Sequence, residues 1–417
     1  MTTPLPEQAP LPLPPNLYQV DSYVRTCWAT VTNLSEYKSK PAVMLSQTVF
    51  YPTSGGQLYD TGSLTLENTD TSVEVVDVVK QNGDVLHVLA EAGLSQGQRV
   101  HASINWARRY RHMQRHSGQH LLSQAFIRVN PAFATQSVSL TSPICTLDLA
   151  GEPDEASAQQ AEKLVNQIAR SGLPVNAFNV PEERLGEYRL RRPPKVTGII
   201  RLVNMGGWEL SACGGTHVKS TAEVLPVKIL RLERVKSGLI RVHFVVGEEA
   251  LDDYSLKHIV ANGLALDFSS QVEDVPARVS SLQVSLTDTK RQMNAQGQRY
   301  ADLLAERLYH TAKTLAAAKL IVHQLEADDS GLIRPLASAL AAKDDVIVLL
   351  ATVNNDKAQL IFARSQNLEH DMNTLLKESL DVVDGRGGGK PDFAQGAGSK
   401  VAGLSEALDV ARASLIS

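Results

Sequence analysis

The chain has 417 residues, 43% of them hydrophobic and 21% charged, with a formal net charge of −4. That length allows two or three domains with filled cores, and the acidic balance excludes a protein that coats nucleic acid by bulk charge while leaving local basic patches open. Three widely spaced cysteines, Cys27, Cys145 and Cys213, exclude a disulfide framework and point to a reducing compartment, the cytoplasm; no apolar run of about 18 residues is present, so no membrane span is expected.

The opening "MTTPLPEQAPLPLPPNLYQV" has neither a basic stretch nor a continuous apolar one, and residues 1–17 read as a disordered proline-rich lead-in. From residue 18 to about 100, short β-branched runs such as "YVRTCWATVTNL" and "SVEVVDVVKQ" alternate with turn residues. Strands at that spacing predict a small barrel or sandwich.

The period changes to helical from Trp106 to about Val129. Strands are expected at "SVSLTSPICTLDLAG", a helix near Asp154–Ser171, and more strands at "GIIRLVNM", "EVLPVKILRLERV" and "LIRVHFVVG", so that residues 101–248 form an α+β domain. Residues 249–325 read almost wholly as helix, with Val279, Leu282, Leu286 and Met293 spaced by threes, fours and sevens. That pattern fits a helical hairpin, a short coiled coil or a packed helical linker. Residues 326–417 form a small α/β unit: strands "DDVIVLLATV" and "AQLIFARS", a helix at "DMNTLLKESL", the glycine-rich "GRGGGKPDFAQGAGS" and a last helix. The fold class is therefore α+β: a small N-terminal β-barrel, an α+β domain, a helical linker and a C-terminal α/β domain.

Two motifs carry the chemistry. In "HSGQHLL", His116 and His120 are four apart, so on a helix they project from one face and can share a cation. Ser117, Gly118 and Gln119 between them supply no acid, which excludes a zinc peptidase of the His-Glu-x-x-His type. In "CGGTH", Cys213 and His217 have the same spacing, and the two glycines suit a tight loop after a strand. Together they make a His₃Cys set matched to Zn²⁺. Against that stand the bland readings of a surface histidine pair and a buried cysteine.

A third stretch, "FYPTSGGQLYDTG", presents Thr53 and Gln57 at a Gly-Gly turn, where amides and a carboxamide can meet an ester oxygen. An ordinary polar β-turn is the competing reading. Arginines crowd the motifs: Arg108, Arg109, Arg111 and Arg115 beside the histidines, then Arg189, Arg191, Arg192 and Lys195, then Lys228, Arg231, Arg234 and Lys236. Such clusters suit a polyanion steered to the site, and solvated surface charge is the alternative.

These three motifs, in this order, resemble the editing domain of alanyl-tRNA synthetases and the free-standing alanyl-tRNA editing proteins of the AlaX family, and "GRGGGKPDFAQGAG" is similar to the glycine-rich segment of a DHHA1 domain. The resemblance implies hydrolysis in trans of the ester that joins serine, in some members glycine, to tRNA(Ala). It maps zinc ligands onto His116, His120, Cys213 and His217, and substrate-side polar residues onto Thr53, Gln57 and Ser117. Because the editing-like region starts near residue 18, it implies an editing factor rather than a synthetase. Arg115, Arg192, Arg386 and Lys390 are the expected tRNA contacts, and a homodimer through the helical or C-terminal region is the expected oligomer. Two departures stand out: Glu209 lies four residues before Cys213 where the synthetases place an acid two before, and Ser117 replaces their threonine. "GRGGGKP" lacks the spacing of a P-loop, and no Asp-His-His signature occurs, so neither ATP use nor phosphodiester cleavage is expected. The alternative function is a tRNA-binding protein with a structural zinc and no hydrolase activity.

Overall fold

The computed structural model describes residues 16–194, 197–315 and 318–416, so the lead-in up to residue 15 and the candidate Lys195 lie outside the described residues. The chain forms two compact units, one up to Asn262 and one from Gly263.

The first unit opens with a short helix, α1 (Leu17–Val20), and then β1 (Thr26–Tyr37), β2 (Lys40–Leu45), β3 (Gly62–Leu66), β4 (Ser72–Gln81), β5 (Asp84–Leu89) and β6 (Arg99–Ile104). These strands close into a barrel in the order β1-β2-β5-β4-β3-β6, with β6 returning antiparallel to β1. Closure decides between barrel and sandwich, and it removes the open strand edges. Val31, Val43, Leu64, Val75, Val100 and Ala102 fill the interior; along β6 the alternation of buried and open positions is the two-residue period of a strand with one face inside.

His87 is fully buried in this barrel. Thr48 Oγ1 takes the Phe50 N–H at 3.0 Å, so its own proton turns to His87 Nε2 at 2.7 Å, while Nδ1–H donates to the Val43 carbonyl at 3.1 Å. Burial, only partly offset by that carbonyl, lowers the imidazole from 6.5 to about 4. The unfolded chain therefore binds a proton that the folded barrel refuses. Stability is present in full above about pH 6.5 and falls as the pH drops to about 4, by on the order of 3 kcal/mol. Unfolding midpoints across that range should fall less steeply in His87→Gln, where the other buried histidines keep a residual slope, than in the wild type; equal slopes would remove His87 from the account.

The long helix α2 (Trp106–Val129) follows, capped by the Asn105 side chain, which accepts from Arg108 N. Its flanks are β7 (Thr135–Ser139), β8 (Cys145–Ala150), α3 (Glu155–Arg170), β9 (Val175–Pro181), β10 (Ile199–Met205), β11 (Glu209–Ala212), β12 (Val227–Lys236) and β13 (Leu239–Val246). One sheet runs β12-β13-β8-β7 and another β11-β10-β9. Leu121, Leu122 and Phe126 of α2 join Leu147, Leu149, Val165 and Phe244 in one core. Unlike a usual surface helix, α2 is buried on its polar side as well, at Arg109, His112, Arg115, His116, Ser117 and His120. Buried polar groups need partners, and those partners define the site below. The helix α4 (Glu248–Asp267) then leads out of this unit.

In the second unit, α5 (Val275–Thr311) is followed by β14 (Lys313–Leu315), β15 (Ala318–Gln324), α6 (Ile333–Ala341), β16 (Val346–Asn354), β17 (Lys357–Arg364), α7 (Met372–Val382), β18 (Gly385–Lys390), β19 (Phe393–Gly398) and α8 (Leu404–Ser414). The sheet order is β14-β15-β16-β17-β19-β18. Alternate residues of β16 serve two cores: Val346, Val348 and Leu350 pack with α5 and α6, and Ile347 and Leu349 with α7 and α8.

One expectation is corrected. The helical stretch does not run from 249 to 325: it breaks at Ser269, which has φ +49°, and ends at Thr311, because 318–324 is a strand paired parallel to β16. A short apolar run covered on both faces lacks the period that would separate strand from helix. The glycine-rich segment forms a β-hairpin, and its glycines let α7 lie close: a Cβ on Gly396 would stand 2.7 Å from the Leu380 methyls.

Candidate metal centre

The α2 helix grips the "TSGGQLYD" turn of the barrel residue by residue. The Arg109 guanidinium meets Asp60, both fully buried, Arg108 Nε donates to Tyr59 O at 3.0 Å, and His116 Nδ1 meets Gln57 Oε1 at 2.8 Å. On the other side, β11 runs out at Ala212 and Cys213 starts a loop. Arg201 Nη1 holds that loop by donating to the carbonyls of Cys213 at 2.8 Å and Gly215 at 3.0 Å. Gly215 passes so close that a Cβ would stand 2.1 Å from Cε1 of His116.

The result brings one ligand atom each from His116, His120, Cys213 and His217 within 4.8 Å of one another. Cys213 Sγ lies 3.4 Å from His116 Nε2 and 3.3 Å from His217 Nε2. A tetrahedral zinc with bonds of about 2.0–2.3 Å would separate such atoms by roughly 3.5 Å. Each imidazole has its other nitrogen engaged. His116 Nδ1 is on Gln57, His217 Nδ1 faces Ser117 Oγ at 3.1 Å, and His120 Nδ1 faces Ser211 Oγ at 3.0 Å and Glu209 Oε2 at 3.3 Å. Outer partners on Nδ1 leave Nε2 for the centre, as metal-ligating histidines require. The residues therefore fit zinc.

His116 and His217 are held neutral, as ligands must be, whereas His120 would have to give up a proton to a bound metal. Burial, and then the neighbouring His116, pull His217 down to about 3, and burial holds His116 well below the usual range. Burial works on His120 too, but the Glu209 carboxylate and Cys213 outweigh it and lift the ring to about 9. Burial alone would raise the Cys213 thiol; His217 and His120 override it and bring it well below its ordinary value, the direction a metal thiolate needs.

The structure distributes the other expected site residues unevenly. Gln57 is buried and its carboxamide is spent, on His116 and on Thr216 Oγ1 at 2.7 Å. Ser117 Oγ, besides His217, accepts from Val218 N at 3.2 Å. Both thus act on the histidines, and only Thr53 of the three is exposed. Arg115 is corrected as an RNA contact: it is buried and gives its guanidinium to Glu249, with Nε at 2.7 Å from Oε2. Arg109 and Arg191 likewise point inward, Arg191 Nε donating to Glu209 Oε1 at 2.9 Å, whereas Arg192, Arg386 and Lys390 are exposed. Sequence reasoning named Glu209 and Arg191 without their roles behind His120, and missed Arg201. The strand period that aligns 209, 211 and 213 was a usable signal for the first; nothing local marks the others.

The chain matches three family models: tRNA synthetases class II (A) over residues 25–108, the threonyl and alanyl tRNA synthetase second additional domain over 200–243, and the DHHA1 domain over 317–416. The first two matches fall on the unit that holds the barrel and the His/Cys quartet, and the third on the C-terminal sheet. The alanyl-tRNA editing protein AlaX-L of Pyrococcus horikoshii is 28% identical over 391 residues, covering 91% of this chain and 93% of its own length. The chain is thus similar over nearly its whole length to that editing protein, and its C-terminal region matches the DHHA1 model. Alanine–tRNA ligases of Streptococcus mutans (30% identical, 88% of this chain and 43% of the ligase) and Pyrococcus abyssi (29% identical, 88% and 40%) are also similar, and the chain spans under half the length of these ligases.

Proposed function

We propose that the chain is a zinc-dependent aminoacyl-tRNA hydrolase that releases serine from mischarged tRNA(Ala), with glycine as the second candidate. The observation that carries this reading is the buried His116–His120–Cys213–His217 quartet with an outer partner on every imidazole, in a chain similar over nine-tenths of its length to an editing protein. Water adds to the ester carbonyl, the bond to the ribose oxygen breaks, and the free amino acid and tRNA leave. Bound zinc would supply a Lewis acid that holds a polar group of the aminoacyl end. Gln57 and Ser117 keep the rings of His116 and His217 aimed inward, and exposed Thr53 is left to meet the substrate. A site that requires a hydroxyl can reject alanine strongly, because its polar groups go unpaired when alanine binds, whereas a merely apolar pocket discriminates an added hydroxyl by only about 100-fold.

Arg192 in the first unit and Arg386 and Lys390 on β18 are the proposed phosphate contacts. A second copy could join along α5, whose Val279, Leu282, Leu286 and Met293 are exposed. Among the described residues no helix is long and apolar enough to cross a membrane, and the cytoplasm, where tRNA is charged, is the proposed location. A second reading, a tRNA-binding protein with structural zinc, draws on the four protein ligands, which would close a tetrahedron.

Deacylation of tRNA(Ala) carrying labelled serine, glycine or alanine separates the two. Zinc-replete protein should free serine and spare alanine; release of glycine as well would show that the site selects by more than the hydroxyl. Release of none, by folded protein, would leave the structural-zinc reading.

A further inference from the structure

Glu209 and Ser211 stand two residues apart on β11, and the strand period turns both toward α2, where both reach Nδ1 of His120. The second oxygen of Glu209 is taken by Arg191, and the pair is closed to water, with side-chain exposures of 8% for Arg191 and 0% for Glu209. Arg191 N also donates to Leu210 O at 3.0 Å, so the segment that supplies the guanidinium is itself tied alongside β11. The other two histidines lean on neutral groups, the Gln57 amide and the Ser117 hydroxyl. A carboxylate is expensive to bury, and this one spends its two oxygens on a ligand ring and on the arginine behind it.

We propose that Glu209 is a positioning residue: backed by Arg191, it fixes the ring of His120 with Nε2 toward the centre, and it sets the affinity of the quartet for zinc more than Gln57 or Ser117 does. A carboxylate behind a ligating imidazole fixes the tautomer and strengthens the donor, where an amide or hydroxyl mainly orients it. The inference rests on the metal reading above.

The test is competition for zinc between a chromogenic chelator and the full-length protein, in the wild type, Glu209→Gln, Gln57→Ala, Glu209→Ser, and Glu209→Ser combined with Ser211→Glu. Glu209→Gln keeps the shape of the side chain and should bind zinc about 10–100-fold more weakly, a larger loss than Gln57→Ala. Glu209→Ser should be weak as well, and moving the carboxylate two residues along the same face in the double variant should recover most of the affinity. Wild-type affinity in Glu209→Gln, or no recovery in the double variant, overturns the inference. So does a lower unfolding temperature of zinc-free Glu209→Gln with unchanged zinc affinity, which would make Glu209 a packing residue. A wild type that takes up no zinc overturns the metal reading instead, which is a separate failure.

Discussion

Replacing Arg109 by methionine should destabilise the first unit by about 3–5 kcal/mol, because removing one partner leaves the other charge buried and uncompensated. Asp60 is fully enclosed with Arg109, and the same guanidinium also donates to Ser22 O at 2.8 Å and Val49 O at 2.6 Å, so two carbonyls lose a donor as well. The chain's three tryptophans, Trp28, Trp106 and Trp208, all precede Asn262, so their fluorescence during urea unfolding follows this unit alone. Arg99→Met is the control: its pair with Glu67 is open to solvent, at 55% and 33% side-chain exposure, and should be worth under about 1 kcal/mol. Similar losses in the two variants would refute the role given to the buried pair. The same contact seats the turn carrying Gln57 against His116, so Arg109→Met should also weaken zinc binding.

The second large effect separates two adjacent glycines. Gly215→Ala should weaken zinc binding by at least the roughly 10–100-fold seen when a ligand's orienting partner is lost, and deacylation should fall with it, while Gly214→Ala should leave both close to wild type. A Cβ at Gly215 would stand 2.1 Å and 2.4 Å from Cε1 and Nδ1 of His116 and 3.1 Å from Gln57 Oε1. The ring must shift and its hydrogen bond to Gln57 breaks. At Gly214 no atom lies within 4 Å of the added carbon. Zinc titration with a competing chelator reads the difference directly, and equal behaviour of the two variants would count against the packing described for the CGGTH loop.

Local spacing made the helix of the centre legible. Asn105 and the apolar face of "HLLSQAF" delimit Trp106–Val129, and four-residue intervals mark both ligand pairs, because ligands one helical turn or one tight loop apart are a short-range pattern. What surrounds them was not legible. Gln57 meets His116 across 59 residues and Glu209 meets His120 across 89. Arg115 and Arg191 read as surface cations until their partners, Glu249 and Glu209, were seen to face them. The strand at Ala318–Gln324 was hidden for a related reason: what makes it a strand is its pairing with β16, not its own period.

By itself, then, the sequence determined which residue types stand at metal-binding spacing, where α2 starts and stops, and that no acid lies between the two histidines. Those follow from backbone geometry over a few residues. Only the tertiary structure decided that the barrel closes, that α2 is buried on its polar side, and that each imidazole is held from behind by a different group. The reason is physical: a buried polar side chain must find a partner, and which partner it finds depends on chain segments that only folding brings within hydrogen-bond reach.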